Sequence, residues 1–348
     1  MTVTLRPESS ATPRVRPGGR LLSGLFLLVL VLVVVCLLSI TMGSRDLTLG
    51  TVWAALFDPG ADSPAQTVVR EIRVPRTALG IVVGVALGLS GAILQGVTRN
   101  PLADPGIMGI NAGAAATIVT AVMLLGVNGL GSYIWFAFLG AGLATVAVYM
   151  IASFGREGAT PVKLALAGAA VTAGLTSVTS AIVMTNTEAL DTLRRWQVGS
   201  LAGRYAPVFW QVLPFVVVGS LVALAAGRAL NGLALGEDMA RGLGQNVVRT
   251  RLLMFATVAV LCGAATAACG PITFVGLVVP HVARLLCGPD YRWILAYSTV
   301  LTPIVLLGAD VIGRVVLGSG ELQVGVVLGA LGAPVFVLLV RARHLVEL

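Results

Sequence analysis

Charge is scarce in this chain. Of its 348 residues, 11% are Asp, Glu, Lys or Arg, against about 25% in soluble domains. With 57% hydrophobic residues and a mean hydropathy of +0.96, an ordinary soluble domain is excluded. Histidine is almost missing, with only His281 and His344. His344 lies in a polar tail. His281 follows Pro280 near the end of an apolar run, where a hydrogen-bonded structural role is the plainer reading and a ligand or proton relay the other. The four cysteines, Cys36, Cys262, Cys269 and Cys287, lie in or at the ends of apolar runs without metal-type spacing. They read as buried free thiols. No HExxH or cysteine cluster occurs. The single lysine, Lys163, follows Val162, whereas a Walker A lysine must follow glycine. No catalytic residue, metal ligand or cofactor site is therefore expected. If ATP drives this protein, another polypeptide holds the nucleotide.

What the chain does have is apolar runs near 20 residues, recurring along its length. That is the signature of helices crossing a bilayer. Transmembrane β-barrels need short segments of alternating polarity, and the runs here are continuous. The reading is an all-α polytopic membrane protein of about ten spans. They are placed at about 21–41, 75–97, 106–126, 131–154, 161–184, 207–227, 252–269, 272–287, 292–312 and 322–341. Residues 1–20 and 342–348 are polar tails, and 21–341 form one transmembrane domain. Pro75 suits the first turn of the second span, and Pro214 should kink the sixth. Residues 42–74 and 185–206 read as outer segments, and 228–251 as a long charged connection.

The net charge of +8 would hint at nucleic acid in a soluble protein. Here the basic residues sit between spans. With an even span count, 15 of them fall on the side of the termini and 8 on the other. The positive-inside rule then places both termini in the cytoplasm, and no nucleic-acid partner is expected. Glycine is abundant, at 42 residues. Gly80, Gly84 and Gly88 lie four apart on one helix face, and Gly325 and Gly329 repeat the spacing. Close helix packing is the plainer reading, and a moving interface the other.

Three polar stretches carry the functional argument. Thr98 to Pro105 (TRNPLADP) form a knot on the cytoplasmic side. Its prolines stop helix and push Asn100 and Asp104 toward extended backbone. The short turn implies that its flanking helices are close antiparallel neighbours. In GEDMARGLGQNVVRTR, residues 236–251, Glu237 and Asp238 open a short helix with favourable charge. Gly242 and Gly244 break it, and Asn246 can cap the next helix. Met239 and Leu243 then form a small apolar face, suited to a partner's groove or simply part of a solvated loop. On the outer side Arg70, Arg73 and Arg76 cluster before the second span, and Arg314 follows the ninth. Exposed there, they would suit an acidic docking partner or lipid headgroups.

Seven collinear stretches together resemble the FecCD/BtuC-like family, permease subunits of ABC importers for iron–siderophores, haem and vitamin B12. They are IRVPR at 72–76, GAILQGVTRNPLADPGIMGINAGA at 91–114, WQVGSL at 196–201 and LALGEDMARGLG at 233–244. GPITFVGLVVPHVAR at 270–284, LLGADVIGR at 306–314 and ELQVGVVLGALGAPVFVLLV at 321–340 complete the set. Gln95, Asn100, Pro101, Asp104, Pro105, Gly109, Pro280 and His281 fall within these motifs. Gln323 departs from the pattern, which has proline there.

The resemblance implies ten helices per subunit and two permease subunits, of one kind or two paralogues, around a central path. It also implies two cytoplasmic ATPase subunits and an extracytoplasmic substrate-binding protein, at the inner membrane of a bacterium. It assigns ATPase coupling to Gly236, Glu237, Met239, Ala240, Arg241, Leu243 and Gly244. It assigns binding-protein docking to Arg73, Arg76 and Arg314. A ferric siderophore or related metal chelate is the expected cargo, with haem or cobalamin as the alternative. A carrier driven by ion gradients is the more distant one. Free metal ions fit poorly, because His, Asp and Glu are scarce.

Overall fold

A computed structural model describes residues 18–43, 47–58, 63–127, 129–154, 160–204, 206–317 and 320–341. Most of the expected N-terminal tail, the C-terminal tail and His344 lie outside the described residues.

The first apolar run forms α1 (Gly18–Thr41). The outer segment after it holds α2 (Leu49–Phe57), capped by Thr48, and α3 (Pro64–Thr67), opened by a Ser63–Gln66 capping box. A π-helical stretch, Val68–Arg73, leads into α4 (Val74–Thr98) with Pro75 in its first turn. A 3₁₀ turn, Pro105–Met108, precedes α5 (Ile110–Leu125). Then follow α6 (Leu130–Ser153) and α7 (Pro161–Thr185), the latter capped by the Thr160 hydroxyl. The second outer segment is not merely a loop. Asn186 caps an amphipathic helix, α8 (Thr187–Gln197), that buries Ala189, Leu193 and Trp196. Next come α9 (Ala206–Ala225), with Pro214 inside it, and α10 (Gly227–Ala234). The chain continues through α11 (Glu237–Gly242), α12 (Val247–Cys269), α13 (Val275–Cys287), α14 (Tyr291–Val315) and α15 (Val324–Arg341).

The buried centre is α4, packed between α12 and α14. Its glycine stripe explains the closeness. A Cβ on Gly80 would lie 2.4 Å from Leu307, one on Gly84 2.7 Å from the Pro303 backbone, and one on Gly88 2.1 Å from Thr302. The stripe is a packing surface for α14, as small residues are in membranes. The C-terminal pair does not repeat it. Gly325 nests against the Val198 carbonyl, while Gly329 faces open space.

Two expectations need correction. First, α4 and α5 do not pack along one another; α12 packs against both. The knot joins them across that intervening helix, so a short turn did not make them neighbours. Second, among the described residues seven helical segments, not ten, are long and apolar enough to cross a membrane. Three of the expected spans are shorter apolar helices, Ile110–Leu125, Val275–Cys287 and Val324–Leu338. At 13 residues α13 reaches only about 20 Å at 1.5 Å per residue, short of a hydrocarbon core of about 30 Å. Irregular backbone precedes it, with Gly270 at φ 79° and Phe274 at φ 67°. Such backbone is tolerated at membrane depth where protein covers it.

Candidate functional sites

At the end of the bundle expected to lie outside, the arginines expected to face solvent are turned inward. Arg73 and Arg76 are 6% exposed and Arg314 3%. Arg76 grips Asp310 with Nε and Nη2, at 3.1 and 2.8 Å, and reaches Glu321 with Nη1 at 2.8 Å. Arg314 Nη2 pairs with Asp310 Oδ2, the oxygen that Arg76 Nε also reaches, at 3.1 Å. The remaining donors go to the end of α1. Arg73 Nη1 donates to the carbonyls of Ile40 and Thr41, and Arg314 Nη1 to those of Ser39 and Met42. These are orphan C-terminal carbonyls at the negative end of a helix dipole, where a cation is stabilising. The cluster thus joins α1, α4, α14 and the approach to α15. The expected exposure is corrected to burial, because backbone carbonyls and Asp310 offer these arginines partners inside. Arg70 is also engaged, donating to the carbonyls of Ala55 and Asp58 beside α2.

The WQVGSL stretch closes the same end. Trp196 is 1% exposed. Ser200 N–H donates to the Cys269 carbonyl at 2.8 Å and Gly325 N–H to the Gly199 carbonyl at 3.0 Å. Three separate motifs meet there. Gln323 caps α15 through its carbonyl, which accepts from Val326 N–H at 3.0 Å. The position makes no demand on the side chain, so the missing proline changes nothing visible.

At the end expected to face the cytoplasm, α11 leaves two apolar side chains exposed. Gly236 at φ 106° and Gly244 at φ 79° set its two ends, in backbone that favours glycine. Ala240 is fully buried and anchors it, while Met239 is 60% and Leu243 69% exposed. Glu237 holds Arg241 at 3.1 Å and Arg251 at 2.6 Å. Gln245 Nε2 ties the turn back to the Ala229 carbonyl at 3.1 Å. Asn246 Oδ1 accepts from Arg249 N–H at 3.0 Å, capping α12. The result is a fixed, charged frame around an apolar ridge.

The knot is internally braced. Asn100 Oδ1 accepts from Leu102 N–H at 2.9 Å, and Asp104 Oδ1 from Gly106 N–H at 2.7 Å. Pro101 and Pro105 bracket those turns, and Gly109 at φ 72° starts α5. Burial pushes the Asp104 carboxyl above its usual range, and the Gly106 bond only partly offsets this. Behind the knot, Gln95 Nε2 donates to the Leu277 carbonyl at 3.0 Å. A Cβ on Gly91 would lie 1.7 Å from the Gly276 carbonyl, so α4 and α13 touch backbone to backbone. Pro280 lies inside α13. His281 is buried there but makes no side-chain hydrogen bond among the described residues, against the bonded role expected.

One surface was not assigned from the residues. α7 leaves Ala165, Ala169, Ala170, Ala173, Gly174, Thr176, Ser177 and Ser180 exposed, between the larger Val162, Leu166, Val178 and Met184. α1 is also exposed, but through Leu22, Phe26, Leu30, Val33, Val34 and Leu37. Bulky aliphatics suit lipid tails, whereas a small, hydroxyl-bearing face does not. The signal was present as Ala, Gly, Ser and Thr crowding into 164–181, and only the fold says which of them face outward. Among the described residues no cluster of His, Cys, Asp and Glu could hold a metal ion.

This helical membrane bundle, with an arginine clamp buried at one end and the short helix α11 at the other, is a multi-pass permease of the BtuC-like fold. The chain belongs to the FecCD transport family, whose model matches residues 30–342. It is a transport subunit rather than an enzyme. It is 44% identical over 316 residues to the ferric enterobactin transport system permease protein FepD of Escherichia coli K12, covering 91% of this chain and 94% of that one. It is 41% identical over 293 residues to the cobalamin import system permease protein BtuC of Halobacterium salinarum, covering 84% and 78%. Among solved structures it is similar to one described as a metal-chelate type ABC transporter in an inward-facing conformation. The TM-score is 0.81 at 26% identity, covering 92% of this chain and 99% of that one.

Proposed function

We propose that this chain is the membrane-spanning subunit of an ATP-driven importer for a ferric siderophore or related metal chelate. The observation that carries the reading is the exposed Ala/Gly/Ser/Thr face of α7. Rich in small residues and largely uncovered by this chain, it supports a cargo path completed by a second permease subunit. Such a face holds a large chelate by shape and weak contacts, so that entry and release are both possible. All ten apolar helices cross the bilayer in this account, α13 with the help of the irregular backbone that precedes it, and both termini lie in the cytoplasm.

Two ATPase subunits engage the α10–α11 frame through Met239 and Leu243. Closure of the ATPase pair moves α11 and rocks the permeases between outward- and inward-open states. A soluble binding protein delivers cargo to the outer face. There Arg73, Arg76 and Arg314 act by shaping the docking ledge, and a carboxylate of the binding protein reaches Arg76 only by displacing Glu321. Charge reversal at Arg73 plus Arg76 should therefore impair delivery and also lower the melting temperature. A loss of delivery alone would return the arginines to a free docking role.

The test of the cargo is uptake of radiolabelled ferric siderophore into cells with this chain deleted and then restored, with and without ATP depletion. Restored uptake that fails without ATP is the expected result. Normal iron uptake in the deleted strain would move the cargo to haem or a corrinoid. Restored uptake indifferent to ATP would bring back a gradient-driven carrier.

A further inference from the structure

The knot and the coupling helix are 130 residues apart in sequence, yet they share one notch at the inner face. Arg99, Leu235, Gly236, Glu237, Asp238, Met239 and Arg241 enclose about 450 Å³. Arg99 ends α4 in left-handed backbone, at φ 49° and ψ 36°. That conformation favours glycine at a helix C-terminus. An arginine there is strained for no gain in capping, since the backbone alone provides the cap bond to the Gln95 carbonyl. The strain aims the side chain. Arg99 Nη1 stands 3.7 Å from where a Cβ on Gly236 would lie, and Gly236, at φ 106°, leaves that space open.

The charges around the notch are unequal in a useful way. Arg241 is held by Glu237 at 3.1 Å and Asp238 at 3.5 Å, and Arg251 by Glu237 at 2.6 Å. Arg99 is exposed and has no acidic partner among the described residues. Beside it Met239 and Leu235 are 60% and 64% exposed. One unpaired guanidinium flanked by two bare apolar side chains fits a carboxylate next to an apolar residue on a partner's surface.

We infer that Arg99 is a second anchor for the ATPase, clamping an acidic side chain of that subunit in the notch between the knot and α11. The inference rests on the reading that α11 meets the ATPase. It adds a contact made directly by the end of α4, so that force on the notch reaches the buried centre of the bundle without passing through α11.

The test is retention of the co-expressed ATPase on the full complex after detergent extraction, at low and high salt. Arg99→Gly is the informative variant, because glycine keeps the left-handed cap and removes only the guanidinium. The melting temperature should stay level or rise, while retained ATPase falls by about tenfold and loses its salt sensitivity. Arg99→Lys should recover part of the retention, and a lysine that recovers none would overturn the charge reading. Met239→Asp is the companion variant. If it releases the ATPase while Arg99→Gly does not, the notch is overturned and coupling through α11 stands. If neither releases it, both are overturned. If Arg99→Gly leaves the ATPase bound but sheds anionic lipid from the purified protein, Arg99 is a headgroup anchor and the inference is wrong.

Discussion

α1 and α7 are both long apolar helices left largely uncovered by the rest of the chain, and they are uncovered for opposite reasons. α1 shows leucine, valine and phenylalanine along its length. One side packs along α14, with Leu25, Leu28, Leu32 and Val35 against the core, and both ends are pinned. Tyr297 O–H donates to the Leu21 carbonyl at 2.8 Å at the inner end, and Arg73 and Arg314 hold the carbonyls at the outer end. α7 packs along α5 and α6 and shows mostly alanine, glycine, serine and threonine, with Val162, Leu166, Val178 and Met184 exposed among them. Exposure alone therefore says little in a membrane protein. What the exposed atoms could tolerate as a neighbour separates a lipid face from a path.

The sharpest way to break this comparison is a matched pair of bulky substitutions. Ser177→Trp on α7 should cut uptake by about tenfold or more, because a path that holds cargo by shape has no room for an indole. Val33→Trp on α1 should leave uptake nearly unchanged. Neither should shift the melting temperature much, since both sites point away from the bundle. Equal effects on transport would remove the distinction.

The clamp that pins α1 comes next. Asp310→Asn leaves two buried guanidinium groups short of their counter-ion, which costs about 3–5 kcal/mol when a buried pair is broken. Thermal unfolding of the purified protein should register it, and a wild-type melting temperature would show the clamp to be idle. Tyr297→Phe removes the inner pin. Loss of that single bond costs about 1 kcal/mol and should loosen α1, read as faster hydrogen exchange around Leu21.

Asp104 provides the smallest effect, and its sign is fixed. Its folded-state pKa lies above the unfolded value of about 3.9. Its contribution to stability is thus present below that value and is lost as pH rises through the folded pKa. At neutral pH the buried charge is a cost. Asp104→Asn keeps an acceptor for Gly106, so it should match or exceed the wild-type melting temperature at pH 8, with the gap closing on acidification. A variant less stable at pH 8 would mean that the charge has a partner outside this chain.

Much of this architecture was legible in the residues, for identifiable reasons. Bilayer-length apolar runs announce helices whatever packs on them, so α1, α4, α7, α12 and α14 fall within a few residues of where the pattern places them. The α11 frame was legible because glycine, acidic first-turn residues and an Asn cap are local signals. What failed was everything decided by a distant partner. Nothing near Arg73 or Arg314 in sequence discloses that the end of α1 would accept their hydrogen bonds. The knot between Thr98 and Pro105 gives no sign that α12 would pack against both of the helices it joins. The short α13 depends on backbone at 270–274 being covered by other helices. The amphipathic pattern of α8 was local, and was obscured by its charged residues.

The central claim, that α7 faces an aqueous cargo path and α1 faces lipid, is tested most directly by thiol accessibility. In a background with Cys36 replaced by alanine, Ser177→Cys and Val33→Cys would each be exposed to a membrane-impermeant thiol reagent in the assembled transporter, with and without cargo. The account expects Cys at 177 to be labelled and to be protected by the ferric chelate, and Cys at 33 to stay unlabelled in both conditions. Labelling at 33 together with an unreactive 177 would contradict it.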